Sequence, residues 1–239
     1  MDTLHILPFI STAITFVFAA VVLNRYWHGR RRHSLMWGLG LSLYGLGTLA
    51  EAYLAIRWSP VVLRLWYLSG AMLTAAWLGQ GTVYLLIRKP RVADSLAAGL
   101  LLISLVAAVL VFTAPLDASA FQLRVPVSTQ YKELLARTGP MILLTILLNI
   151  YGTLTLVGGA LWSAWLFRRK RVLPGRALGN VVIALGALFP AGAGTLIRLG
   201  LGDWLYASEL AGAALMFLGF WLATQPQPAE GRAPAAARA

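Results

Sequence analysis

Seven long apolar stretches, separated by short charged clusters, run along this chain. A bilayer core about 30 Å thick takes roughly 20 helical residues. The stretches near 4–25, 34–56, 61–87, 95–113, 139–167, 177–199 and 204–223 meet that requirement. The fourth, Leu96 to Thr113, carries no charge and is the clearest, while the fifth is long enough to tilt or emerge from the membrane. The pattern predicts an all-α, polytopic seven-transmembrane-helix bundle over 1–224. A tail over 225–239, rich in Pro, Ala and Gln, is expected to be disordered and cytoplasmic. Residues 128–137, in the one sizeable loop, are expected to begin a short helix capped by Ser128 or Thr129, either as an interfacial helix or as a lid.

Composition agrees with the pattern. Of 239 residues, 59% are hydrophobic and 12% charged, against roughly a quarter charged in soluble domains. There is no cysteine, which excludes disulfides, thiolate metal sites and cysteine nucleophiles. A net charge of +12 could point to nucleic acid, but basic clusters beside apolar runs serve topology and anionic head groups instead. The expected partners are therefore membrane lipids, with no nucleic acid.

Charge also sets the expected orientation. The chain opens with acidic Met1-Asp2-Thr3, lacks the basic start of a signal peptide, and meets its first basic cluster only at Arg25 and Arg30 to Arg32. With the N-terminus outside and the C-terminus inside, the cytoplasmic segments hold that cluster, Arg88, Lys89, Arg91, Arg168 to Arg171, Arg176, Arg232 and Arg238. These make 14 of the 20 basic residues. Asp2, Glu51, Asp117, Glu133, Asp203 and Glu209 fall on the outer side, leaving only Asp94 and Glu230 inside.

The first and last three stretches share features. Arg25-Tyr26-Trp27 and Trp165-Leu166-Phe167 each lead into a basic cluster, and the second and sixth stretches are glycine-rich. Leu65-Trp66-Tyr67-Leu68-Ser69 resembles Trp204-Leu205-Tyr206-Ala207-Ser208. Two readings stand: a parallel 3+1+3 repeat, or independent aromatic belts and packing glycines.

Ionisable groups inside spans are costly, about 2.5–3.5 kcal/mol at a helix centre. Four stand out: Glu51, Arg64, Arg198 and Glu209. Counting depth along the helices places Glu51 opposite Arg64, and Arg198 opposite Glu209, across short outer turns. They form either two structural ion pairs or part of a polar outward-facing cavity. Tyr44, Thr48 and Glu51 share a helical face, as do Thr145, Asn149 and Thr153. Tyr67, Thr74, Trp77 and Tyr84 are read as a stripe on the third span, while Asn180 and Thr195 belong to the sixth. The candidate ligand-binding set is Glu51, Arg64, Tyr44, Tyr67, Asn149, Arg198 and Glu209. Pro190, followed by Ala-Gly-Ala-Gly, is expected to kink its helix, as a static bend or as a hinge.

Positive signs of catalysis are lacking. His5, His28 and His33 sit at helix ends or in a loop rather than on facing helices. The last span has no lysine for a retinal Schiff base, and no serine lies in a nucleophile motif with a histidine in reach. The expectation is a non-enzyme with no metal and no cofactor.

The basic first loop, Tyr44 and Glu51, then Leu65-Trp66-Tyr67 leading to Trp77 and Tyr84, give Arg30 to Leu86 a resemblance to a known family. The stretch resembles the seven-helix sensor regions of bacterial histidine kinases and diguanylate cyclases. The resemblance implies a sensing half without the output domain, acting through a protein partner. The expected function is a receptor- or sensor-like protein of the plasma (inner) membrane that binds a small ligand from the outer side. A small secondary transporter with pseudo-repeated halves is the alternative. A third reading is a non-catalytic subunit of a larger membrane complex or a homo-oligomer.

Overall fold

The computed structural model describes residues 6–123, 125–171, 173–199 and 204–225, without the side chains of 193–198. The expected disorder of the tail falls almost wholly outside these residues, as do His5 and the side chains of Thr195 and Arg198. The fold is all-helical. Six helices are long and apolar enough to cross a membrane: α1 (Leu7–Gly29), α3 (Pro60–Leu86), α4 (Pro90–Thr113), α6 (Gly139–Arg169), α7 (Pro174–Arg198) and α8 (Leu205–Thr224). A further long helix, α2 (Arg32–Leu54), has 23 residues, but glycine, tyrosine, serine, threonine and Glu51 make it less apolar. The short α5 (Val127–Leu134) lies in the long loop.

Proline punctuates the helix starts. It stands in the first turn of α1, α3, α4 and α6, and opens α7. There its fixed φ helps and its missing N–H costs nothing. Ser59 caps α3 by accepting from the Val62 N–H at 3.4 Å. Neither Ser128 nor Thr129 caps α5, which starts one residue earlier than expected, after Pro126. The Thr129 hydroxyl instead donates to the Pro126 carbonyl at 2.7 Å. In the same loop, the Ser119 hydroxyl and N–H hold the Asp117 carboxyl below its usual range and close a tight turn.

The helices form a ring. α1 packs on α2, α2 on α3, α3 on α6, α6 on α7, α7 on α8, and α8 returns to α1. α4 stands outside it, against α3 and α6, and turns Leu101, Leu102, Leu105, Val106 and Val109 outward. An exposed apolar face of that kind suits lipid rather than water. At one end of the bundle the loop from Ala114 to Thr138 folds over the helices. The Arg64 guanidinium donates to the Ala114 carbonyl at 2.9 Å, and Trp58 meets Phe121 at 4.7 Å between ring centres. At the other end Arg32 pairs with Asp94, tying α2 to α4.

Glycines set the closeness of the central crossings. A Cβ on Gly47 would lie 2.9 Å from the Gly70 Cα, and one on Gly40 would lie 2.7 Å from the Leu78 nitrogen. α2 and α3 therefore touch backbone to backbone. Gly152 does the same for α6 on α3, its missing Cβ falling 2.2 Å from the Ala75 carbonyl carbon. Gly179 and Gly186 pack on Gly219 and Gly212 across α7 and α8.

Two of the helices are locally widened. Tyr67–Leu73 in α3 and Leu154–Gly158 in α6 are π-helical turns. One extra residue in a turn rotates everything beyond it by about 100°. This splits the stripe read on the third span. Tyr67 faces the ring interior, where its hydroxyl meets Thr145 Oγ1 at 3.2 Å. Trp77 and Tyr84 turn toward α4, donating to Ser104 Oγ at 3.2 Å and to Asp94 at 2.8 Å.

The α3–α6 crossing makes a direct prediction. Gly152→Ala drives a methyl into the Ala75 backbone and should cost about 1–3 kcal/mol. Gly158→Ala, whose Cβ meets nothing within 4 Å, should be close to neutral. Thermal unfolding of the two variants in detergent checks the contrast, and equal melting temperatures would contradict the crossing.

Candidate functional site

Inside the ring, between the crossings and α5, lies a cavity of about 820 Å³. α2 contributes Tyr44, Gly47, Thr48 and Glu51. α3 contributes Trp66, Tyr67, Gly70, Ala71 and Thr74, much of it from the π turn. α6 contributes Thr145, Asn149 and Thr153, α7 Pro190, and α8 Leu205 and Glu209. The covering segment adds Ser128, Thr129, Tyr131, Lys132 and Arg137. The volume is within the range of small-molecule sites, roughly 300–1,000 Å³.

Five of the seven candidate residues thus line one chamber: Tyr44, Glu51, Tyr67, Asn149 and Glu209. Pro190 lines it too, with Cδ placed 2.8 Å from where a Cβ on Gly212 would stand. Arg64 does not. The expected Glu51–Arg64 pair does not form, because Arg64 turns away to the Ala114 carbonyl. The Arg198 side chain lies outside the described residues, so its pairing with Glu209 has no structural counterpart here.

Glu51 from α2 and Glu209 from α8 instead line the same chamber. Depth along a hairpin says how far down a side chain sits, but not which way its helix is rotated. Glu51 is 2% exposed, and its Oε1 has no hydrogen-bond partner, nor has Glu209 Oε2. Two carboxylates sharing one low-dielectric chamber repel each other, which favours a cation or a proton there.

Neutral groups hold the surroundings in place. The Tyr44 hydroxyl donates to the Glu209 carbonyl at 2.8 Å, fixing α2 against α8 beside the acids. Asn149 Nδ2 donates to the Ala71 carbonyl at 2.8 Å, within the π turn of α3, and to the Thr145 carbonyl at 2.8 Å. The Ser128 hydroxyl, 8% exposed, hangs from α5 over Glu51 without closing a hydrogen bond of good geometry. In the sequence Ser128 is expected as a helix cap in the segment read as an interfacial helix or a lid, and Trp66 as part of the Leu65-Trp66-Tyr67 motif. Nothing in their spacing marks them as cavity residues.

Toward the basic end the ring axis closes. A second, smaller cavity of about 50 Å³ lies among Phe18, Val22, Trp37, Thr82, Ser163 and Phe220. Leu78, Leu156 and Met216 line both cavities and form the partition between them. Phe18 stacks on Phe217 at 4.9 Å and meets Phe220 at 5.4 Å, filling the α1–α8 side.

Among the described residues no three His, Cys, Asp or Glu side chains converge as metal ligands. The described histidines have local partners. His28 Nδ1 lies 2.8 Å from the Asn24 carbonyl, and His33 packs edge-on against Trp37 at 5.4 Å. No protein-family model, curated protein or solved structure matches this chain.

The Asn149 bridge is testable by itself. Asn149→Ala removes the link from α6 to the π turn and should lower stability by about 1 kcal/mol. Denaturant titration in mixed micelles reads the change, and an unaltered midpoint would remove Asn149 from the cavity's framework.

Proposed function

We propose that the chain is a seven-helix receptor- or sensor-like protein of the plasma (inner) membrane that binds a small ligand in the central cavity and acts through a partner. The observation that carries this reading is the roughly 820 Å³ chamber, which gathers five of the polar side chains singled out in the sequence. It lies on the side of the bundle covered by α5, which the charge distribution assigns to the outside. Arg30 to Arg32, Arg88 to Arg91 and Arg168 to Arg171 cluster at the opposite end, where the positive-inside rule favours the cytoplasm and anionic head groups.

In this reading α2 is the seventh span. Its 23 residues extend about 35 Å. Its polar side chains are tolerated because they face the ring interior rather than lipid. The order of contacts also supports a parallel duplication. The run α1–α2–α3 has its counterpart in α6–α7–α8, and the α3–α6 junction has its counterpart in α8–α1.

A second reading, a small transporter, is favoured by the two cavities on one axis. Leu78, Leu156 and Met216 line both, and rotation of one half of the ring against the other would move those side chains apart.

The absence of native cysteine makes the topology and the cavity directly testable. Ala71→Cys, in the cavity, should react with a membrane-impermeant thiosulfonate applied from the outer face. Ala160→Cys, beside the partition, should resist it from either face, and Arg171→Cys should react only from the cytoplasmic face. Labelling of Ala71→Cys solely from the cytoplasmic face would overturn the outward-facing site. Equal labelling of Ala71→Cys and Ala160→Cys from the outer face would replace the closed receptor with an open path.

A further inference from the structure

We infer that the cavity recognises a small organic cation, an ammonium group seated between the Glu51 and Glu209 carboxyls with an apolar body against the aromatic wall. The inference rests on the ligand-binding reading above and names the chemistry of that site.

Several independent observations converge on it. Glu51 and Glu209 come from helices far apart in the chain and line the same chamber. Glu51 Oε1 and Glu209 Oε2 are shielded and without protein partners. Ser128 Oγ is likewise buried and unpartnered, and Ser128 belongs to a different element that closes the same cavity. The oxygens of these three side chains can accept from the donors of an ammonium group.

Among the described residues no cation fills this role. Arg64 is committed to the Ala114 carbonyl. Lys132 and Arg137 also line the chamber, but they belong to its covering segment, and the Arg137 guanidinium rests over the Tyr131 ring at 4.9 Å. Lys132 is exposed, where water screens its charge. Deep negative groups and peripheral positive ones favour a ligand that enters with its positive end first.

The wall argues for an organic cation over a metal ion. Trp66 and Tyr67 meet Tyr131 at 5.5 and 5.7 Å between ring centres, and all three rings line the cavity. Aromatic faces attract ammonium groups and cover the carbon attached to them. A divalent metal instead takes six or more oxygens or a compact set of acids, and two carboxyls do not supply that.

The test uses the full chain in nanodiscs and three probes of one shape: phenethylammonium, phenethyl alcohol and 3-phenylpropanoate. Calorimetry should show phenethylammonium binding about tenfold or more tightly than the alcohol, with the carboxylate weakest. Glu51→Gln and Glu209→Gln should each remove that preference. Arg64→Gln, outside the cavity, should keep it. Binding of the alcohol or the carboxylate as tightly as the ammonium would overturn the cation inference while leaving a ligand site in place. Failure of all three probes in the wild-type chain would overturn both the cation and the ligand-binding reading. The comparison among probes needs only the wild-type chain, so it decides the matter even where a glutamine variant fails to fold.

Discussion

Backbone contact between helices at glycine is the constraint on which the rest of this architecture depends. In lipid there is little hydrophobic gain from pressing two apolar helices together, so association relies on close packing and hydrogen bonds. Gly40 and Gly47 let α2 reach the backbone of α3, and Gly152 lets α6 reach it from the other side. Both crossings run through the same stretch of α3. With α3 held on two sides there, the ring is narrow at its waist. It stays wide toward α5, where Trp66, Tyr67 and Tyr131 replace glycine as the contact residues. The chamber is what remains between a tight crossing and a wide aromatic rim.

The π turns adapt the helices to that geometry. Each contributes to the chamber wall, through Tyr67, Gly70 and Ala71 on α3 and through Leu154, Leu156 and Val157 on α6. A wider turn leaves carbonyls less regularly satisfied, and Asn149 supplies a donor to one of them across the α3–α6 interface. Without the extra residue, Trp77 and Tyr84 would be rotated away from α4. The bonds to Ser104 and Asp94 that attach α4 to the ring would then be lost. One local irregularity thus shapes the chamber and places the peripheral helix.

The chain's periodicity and charge made the helices, the long loop and the inward face of α2 legible in advance. Tyr44, Thr48 and Glu51 lie at helical spacing, and all three line the chamber. What could not be read was helix rotation. Hairpin depth placed Glu51 level with Arg64, but the loop after α4 offers a carbonyl at Ala114 that takes the guanidinium instead. That acceptor is 50 residues from Arg64 in sequence, beyond the reach of any local pattern. That Glu51 and Glu209 share one chamber is hidden for the same reason, since the chamber exists only once α8 has closed the ring against α1 and α2.

Two buried acids lining one chamber, with no ion-pair partner among the described residues, are an unfavourable arrangement for stability alone. Replacing one acid with leucine or glutamine would relieve the repulsion and the desolvation together. The fold nonetheless surrounds the pair with oriented groups. Tyr44 is anchored to the Glu209 backbone, and Ser128 is brought down from α5. A Glu51–Arg64 ion pair would have placed a guanidinium in this chamber, but Arg64 bonds to the Ala114 carbonyl instead. The structure has an open chamber lined by polar residues on the α5 side, while toward the basic end Phe18, Phe217 and Phe220 pack beside a cavity of only about 50 Å³. The interior is thus divided into a wide polar half and a tighter, mostly apolar half, with Leu78, Leu156 and Met216 as walls common to both.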